Sequence, residues 1–411
     1  MTPRALLALL APAALLAPGV QAREAPDPIQ AGVEAIREHH MVQTPGQIRR
    51  YWTPARMASA RPADIVLDRG VRHARAASAS PVPTANASAD CKPKGPLAPY
   101  PYERCEVEDT TSKPTSAHGK VFFRDGTQNF VCSGTVVTSP RETLVWTAGH
   151  CVLGRTTGAW VTNLAFVPSR NDSTPAPFGT WSATRQFTTS AWKDDRNLNY
   201  DFGAFRVAPR NGKTIQDVVG SRGIAWNQLR DVTYVSHGYP AQQPPPEFDG
   251  DTHFTCRAGF AEDDPDPVGP GPVPMGIGCD MTGGSSGGSW IVDGKIRSVN
   301  SFKYQLEPEV MYGPYLGNAA RALWEVAGGP CDINGTYRSE TLRGTGRGET
   351  ICGRGGNDVL IGKRGRDVLR GGSGNDVLRG GSGRNRLKGG SGRDRCKVRA
   401  RDTLRSCEVR T

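Results

Sequence analysis

Six nine-residue units follow one another without a break from Gly344 to Lys397: GTGRGETIC, GRGGNDVLI, GKRGRDVLR, GGSGNDVLR, GGSGRNRLK and GGSGRDRCK. A looser copy, GTYRSETLR, precedes them at 335–343. A unit this short cannot bury an apolar face alone, so the copies must stack and share one interior. Leu360, Leu369, Leu378, Leu387 and Cys396 recur at one place in successive units and are the residues available to fill it. Glycines open each unit and permit a tight turn. Asp358, Asp367, Asp376 and Asp394 share a second place, with Asn385 in the fifth unit, and offer hard oxygen ligands between turns.

This tail also carries the charge. From Gly335 to Thr411 there are 19 Lys or Arg against 8 Asp or Glu; the other residues hold 32 of each, so the formal +11 belongs to the tail. Such a face suits an anionic polymer. No aromatic residue follows Tyr337, which argues against nucleic acid as the partner, because stacking platforms are missing.

The rest of the 411 residues is long enough for a sizeable core. Arg4 precedes the apolar run Ala5–Pro18, and Val20-Gln21-Ala22 has the form of a signal-peptidase site, so 1–22 is read as a signal peptide of a secreted protein. No other stretch approaches the roughly 20 apolar residues of a membrane span. The ten cysteines include no Cys-x-x-Cys, and an exported chain favours disulfides over zinc. Paired in sequence order they make Cys91–Cys105, Cys132–Cys151, Cys256–Cys279, Cys331–Cys352 and Cys396–Cys407, although spacing leaves the connectivity open.

Residues 23–118 are rich in Ala, Pro and Arg and read as a largely irregular propeptide or linker. Ile48, Tyr51, Trp52 and Met57 are sparse anchors, and Ser78–Ala89 is a small-residue link. From Lys120 short β-rich runs alternate with turn clusters, which indicates an all-β sandwich or barrel over 119–334. Helical periodicity occurs only at Asn318–Val326, stopped by Gly328-Gly329-Pro330. Residues 335–411 form the repeat domain.

Within 119–334, Thr147-Ala148-Gly149-His150-Cys151 follows an apolar run. Gly284-Ser285-Ser286-Gly287-Gly288 lies in a Gly-rich loop, and Tyr200-Asp201-Phe202-Gly203 falls between the two. Acyl transfer needs these types together. A Ser hydroxyl is a weak nucleophile until a neighbouring His takes its proton, and a buried carboxylate must orient that His. Glycines around the Ser let backbone N–H groups aim at the developing oxyanion. Asp194 and Asp195 compete with Asp201, and Ser285 with Ser286. Apolar neighbours favour Asp201, and the flanking glycines favour Ser286.

With these motifs, residues 119–330 resemble the chymotrypsin-like serine peptidases, and most of all the bacterial branch that includes the glutamyl endopeptidases. The resemblance implies two six-stranded β-barrels with the site between them. It implies His150 as general base, Asp201 as orienting carboxylate, Ser286 as nucleophile, and the N–H groups of Gly284 and Ser286 as oxyanion donors. A Cys132–Cys151 bond would tie the His loop to its neighbouring strand. The substrate would be protein or peptide, and the chemistry would need no cofactor.

Two departures matter. Ser285 stands where trypsin-type enzymes carry the Asp that pairs with a new N-terminal amine, so activation of this zymogen must depend on removing or displacing 23–118. Asp280 stands six residues before Ser286, at the place of the basic-residue selector of trypsin-like enzymes. In the glutamyl branch an Asp there does not select; a His does, and Arg297-Ser298-Val299-Asn300-Ser301 contains none. Side-chain preference stays open.

The tail resembles calcium-binding nonapeptide repeats that wind a small parallel β-roll, which implies calcium at Asp358, Asp367, Asp376 and Asp394. Arg354 and Lys363 replace the second Gly, and excess positive charge weakens divalent sites. The alternative is a metal-free roll, stapled by Cys396 and Cys407, whose basic face holds an anionic cell-surface polymer. The expected protein is a secreted serine endopeptidase, extracellular or attached to the cell surface. The rival is an inactive adhesion protein with the same fold and a calcium- or polyanion-binding tail.

Overall fold

The computed structural model describes residues 35–68, 91–94, 100–171, 175–241, 248–267, 269–335, 338–397, 399 and 401–410. The expected signal peptide and the Ser78–Ala89 link lie outside them.

Six antiparallel strands close a first barrel: His118–Asp125, Gln128–Val136, Leu144–Thr147, Gly203–Val207, Trp181–Thr189 and Thr162–Pro168. The closing ladder pairs Trp181 with Phe166 and Ser182 with Ala165. Strand alternation sends Val121 and Phe123 into a core with Trp146, Phe166, Phe187 and Phe205. It sends Phe122 outward, where it is nevertheless fully buried.

Phe122 is covered by part of 23–118, the region expected to be a largely irregular propeptide or linker. A helix at Pro45–Tyr51 starts from a capping box between Thr44 and Gln47, and a second at Pro54–Ala58 starts from Thr53. Their Ile48, Trp52 and Met57 bury against Phe122, Val131, Ala165 and Val167. The Trp52 indole N–H donates to the Asn163 carbonyl at 2.5 Å. Helices of seven and five residues show too few apolar positions for a periodic signal, so caps and tertiary contacts hold them.

A second antiparallel run orders seven strands: Lys295–Val299, Ser289–Val292, Thr233–Gly238, Phe254–Asp263, Met275–Gly278, Val310–Gly313 and Phe302–Tyr304. Its core holds Tyr234, Cys256, Ile277, Trp290 and Met311. Among the described residues no ladder joins its two ends. Tyr102–Glu106 adds to Phe254–Ala258 in antiparallel register. Backbone pairing thus places Tyr102–Glu106, upstream of residue 119, in this sheet.

The helix Asn318–Gly328 lays Ala319, Ala320, Leu323 and Ala327 on the first barrel. The Arg206 guanidinium caps its end through the Ala327 and Val326 carbonyls at 2.6 and 2.9 Å. Beyond it, two five-stranded parallel sheets wind a roll. Ile351 pairs with Leu369 and Leu369 with Leu387, while Leu360 pairs with Leu378, so a repeat of nine in sequence becomes a coil of two units. Leu360, Leu369, Leu378, Leu387 and Cys396 line the interior as expected. All five expected disulfides are present.

Candidate active site

The strand Leu144–Thr147 ends in a tight turn, Gly149–Cys151, anchored by Cys132–Cys151. His150 is 1% and Asp201 0% exposed. The His150 Nδ1 lies 2.7 Å from Asp201 Oδ2, and the His150 backbone N–H donates to Oδ1 at 2.8 Å. The Ser301 hydroxyl donates to Oδ2 at 2.5 Å. Three contacts thus fix the carboxylate and, through it, the ring. The rival Asp194 is instead at the surface, paired with Arg37 at 2.9 Å.

The Gly-rich loop docks on this turn. Gly287 has φ +80, and a Cβ there would lie 2.0 Å from Thr147 Oγ1 and 2.7 Å from the Ala148 nitrogen, so only glycine fits. The Ser133 N–H donates to the Ser286 carbonyl at 2.7 Å, and Cys151 Sγ lies 3.8 Å from the same oxygen. Fully buried Asn300 holds the loop from below. Its amide donates to the carbonyls of His237 and Ser285, and its oxygen accepts from Ser236 Oγ and Trp290 Nε1. The rival Ser285 spends its hydroxyl on the Thr282 carbonyl at 2.7 Å. Among the described residues, the N–H groups of Gly284 and Ser286 have no acceptor. Donors left open in a buried loop are what an oxyanion requires.

Beside Ser286 is a cavity of 430 Å³ whose lining includes Asp280, Met281, Ser301, Phe302 and Lys303. Asp280 is where the sequence places the selector, but its Oδ2 accepts from Arg104 at 2.6 Å. Its Oδ1 is buried without a partner. The Lys303 ammonium donates to the Cys279 carbonyl at 2.7 Å, and burial lowers its pKa to about 7. Ser301 and Arg104 escaped the reading of the motifs. Ser301 lies in a stretch scanned for a histidine, and nothing near Arg104 in sequence marks it as a partner of Asp280.

Two sets of residues could hold a metal. His118, His237 and His253 cluster in the buried seam, but the nitrogens of His118 are engaged by Thr135 Oγ1 and the Arg222 guanidinium. Its ring also stacks on His237 at 3.9 Å. The ligand atoms lie within 4.8 Å of one another, but the His118 nitrogens and the His237–His253 contact at 3.1 Å are already committed to hydrogen bonds. In the tail the donors do fit. Oδ1 of Asp358, Asp367, Asp376 and Asp394 accepts the backbone N–H of Glu340, Glu349, Asp358 and Asp376, respectively. Each Oδ2 is buried with no partner. A buried, unpaired carboxylate oxygen is costly, and a hard cation offsets the cost. Asn385 keeps the backbone contact, accepting from the Asp367 N–H at 3.0 Å, but brings no charge.

Comparison with known proteins gives matches to both regions. The model of the RTX calcium-binding nonapeptide repeat matches residues 334–369, 353–387 and 370–396. The chain is 31% identical over 115 residues to an extracellular metalloprotease of Bacillus subtilis, covering 28% of this chain and 35% of that one. It is 31% identical over 143 residues to a glutamyl endopeptidase of Bacillus licheniformis, covering 34% of this chain and 41% of the relative. It thus spans well under half the length of these curated relatives. A protease from Arthrobacter nicotinovorans of known structure is 36% identical, with 53% of this chain and 98% of that chain covered and a TM-score of 0.48.

Proposed function

We propose that this protein is a secreted serine endopeptidase that cleaves peptide bonds through Ser286, His150 and Asp201. The buried His150–Asp201 contact at 2.7 Å, beside a serine whose loop offers two open N–H donors, carries this reading. The glutamyl endopeptidase relative agrees with it, whereas the relative named a metalloprotease agrees on peptide cleavage alone. Ser286 Oγ attacks the substrate carbonyl while His150 Nε2 takes its proton. Asp201 keeps Nδ1 protonated and stabilises the imidazolium, and the oxyanion settles between the N–H groups of Gly284 and Ser286. As the tetrahedral intermediate collapses, His150 returns the proton to the leaving amine. Water, activated by the same base, then cleaves the acyl-enzyme. Because Arg104 already neutralises Asp280, a pocket built to select basic side chains is not supported.

In the tail, Asp358, Asp367, Asp376 and Asp394 would hold calcium, which when bound supplies the positive charge their free oxygens lack. Strand register stacks exposed Arg370, Lys388 and Arg405 on adjacent strands. Like charges about 4.8 Å apart repel, and an anionic cell-surface polymer would relieve that repulsion.

Labelling of the purified, processed protein with a fluorophosphonate probe tests the enzyme reading. Signal lost in Ser286→Ala is the expected result; no labelling of a folded, disulfide-bonded sample would favour the inactive adhesion protein.

A further inference from the structure

The chain itself crosses the cleft beside Ser286, where Asp64, Ile65 and Val66 line part of the 430 Å³ cavity. Arg61–Pro62 pairs in parallel with Phe130–Val131, and the Ala63 N–H donates to the Val131 carbonyl at 3.0 Å. Ile65–Leu67 pairs in parallel with Phe302–Tyr304, and the Leu67 carbonyl accepts from Gln305 N at 3.0 Å. One short segment therefore adds a strand to each sheet and crosses the site between them. Ile65, only 5% exposed, packs among Leu153, Trp192, Phe302 and Tyr304. Upstream, Ile48, Trp52 and Met57 anchor the same segment on the first barrel.

At the crossing, His150 Nε2 lies 2.9 Å from the Ala63 carbonyl oxygen. A carbonyl can only accept, so this contact requires the ring proton on Nε2. With that proton donated to the Ala63 carbonyl, Nε2 has no lone pair with which to take the Ser286 proton. Among the described residues, Ser286 Oγ makes no hydrogen bond to this ring. The Ala63 carbonyl faces the base rather than the open N–H groups of Gly284 and Ser286, so it is not presented for attack.

Which side of a cut would leave is set by covalent and sheet connections. No cysteine precedes Cys91, whereas Cys91 is bonded to Cys105 in a strand of the second sheet. A cut between Leu67 and Cys91 therefore leaves the cleft-bound segment held by non-covalent contacts alone and retains everything after it.

We propose that residues 61–67 are a built-in inhibitor that lies uncut across the active site, caps His150 Nε2 with the Ala63 carbonyl and keeps the enzyme silent until the chain is severed between Leu67 and Cys91. This rests on the peptidase reading. The test uses the full chain with a recognition sequence for a site-specific protease in place of Ser78–Ala89, probed with fluorophosphonate before and after cutting. Cutting and removal of the segment should raise the labelling rate by at least about tenfold. A synthetic peptide of residues 43–68 should restore silence in trans, and its Ile65→Asp form should bind about 10- to 30-fold more weakly. In uncut protein labelled with ¹⁵N-histidine, the His150 Nε2 proton should be hydrogen-bonded and protected from exchange, and that protection should be lost after the cut at the same pH. If uncut and cut chains label equally fast, the inhibitor is overturned and the peptidase stands. If the 43–68 peptide is hydrolysed at Ala63, it is a substrate and the inhibitor is again overturned. If neither chain labels while all five disulfides remain, the peptidase reading fails and takes the inhibitor with it.

Discussion

The tail and the body both bury apolar side chains in strands, but they encode their contacts at opposite ranges. In the tail the partner of a residue lies two units away: Leu360 meets Leu378, and Asp358 Oδ1 holds the N–H of Glu340. In the body the contacts that matter are remote. Asp201 lies 51 residues from His150 and 100 from Ser301, and the Ser286 carbonyl meets a cysteine 135 residues away. A repeat whose coils touch only their neighbours loses stability in increments, whereas a site assembled from distant loops fails as a unit.

The sharpest contrast is in activity. Asp201→Asn should lower kcat/KM by about 10⁴-fold by misplacing the His150 proton, with the tail unaltered; steady-state kinetics on the processed enzyme measures it. Leu378→Ala should do the reverse. It should cost about 2–5 kcal/mol, local to the roll and visible by hydrogen exchange, while kcat/KM stays within about twofold. A large loss of activity there would show that the two regions are coupled.

Calcium removal should separate them again. Burial, with neighbouring Asp358 and Asp394, pushes Asp376 up to about 6, and Asp358, Asp367 and Asp394 are raised in the same direction. The folded tail then binds these protons more tightly than the unfolded chain does. In chelator its stability should be highest near pH 4 and fall as pH rises through about 6. Added calcium should therefore stabilise the tail more at pH 7 than at pH 4.5, which calorimetry with and without chelator decides. In the body, Arg104→Ala should free the Asp280 carboxylate and raise preference for Arg or Lys by about tenfold in a peptide-library profile. The smallest effect should come from the joint between regions. Glu325→Gln weakens the Arg354 pair at 3.3 Å, and it should change stability by less than about 1 kcal/mol.

Local signals carried far in this molecule. His150 and Ser286 are marked by neighbours that the chemistry or the packing requires: the disulfide cysteine beside one, and beside the other a glycine whose absent side chain lets two loops touch. Apolar flanks alone favour Asp201 over Asp194 and Asp195 in the sequence. The region 35–68 was not legible, because Ile48, Trp52 and Met57 are too few to show a period and gain meaning only against Phe122.

The amino-acid order by itself determined the nine-residue period of the tail, with its interior leucines, and the residue types that the proposed acyl-transfer site brings together. Those follow from spacing, which sequence states directly. Only the tertiary structure decided that Ser301 holds Asp201, that Arg104 answers Asp280, and that Ala63 sits on His150. Each of these joins groups far apart along the chain whose local surroundings are ordinary, and the closure of two sheets around one cleft is what brings them within hydrogen-bonding distance.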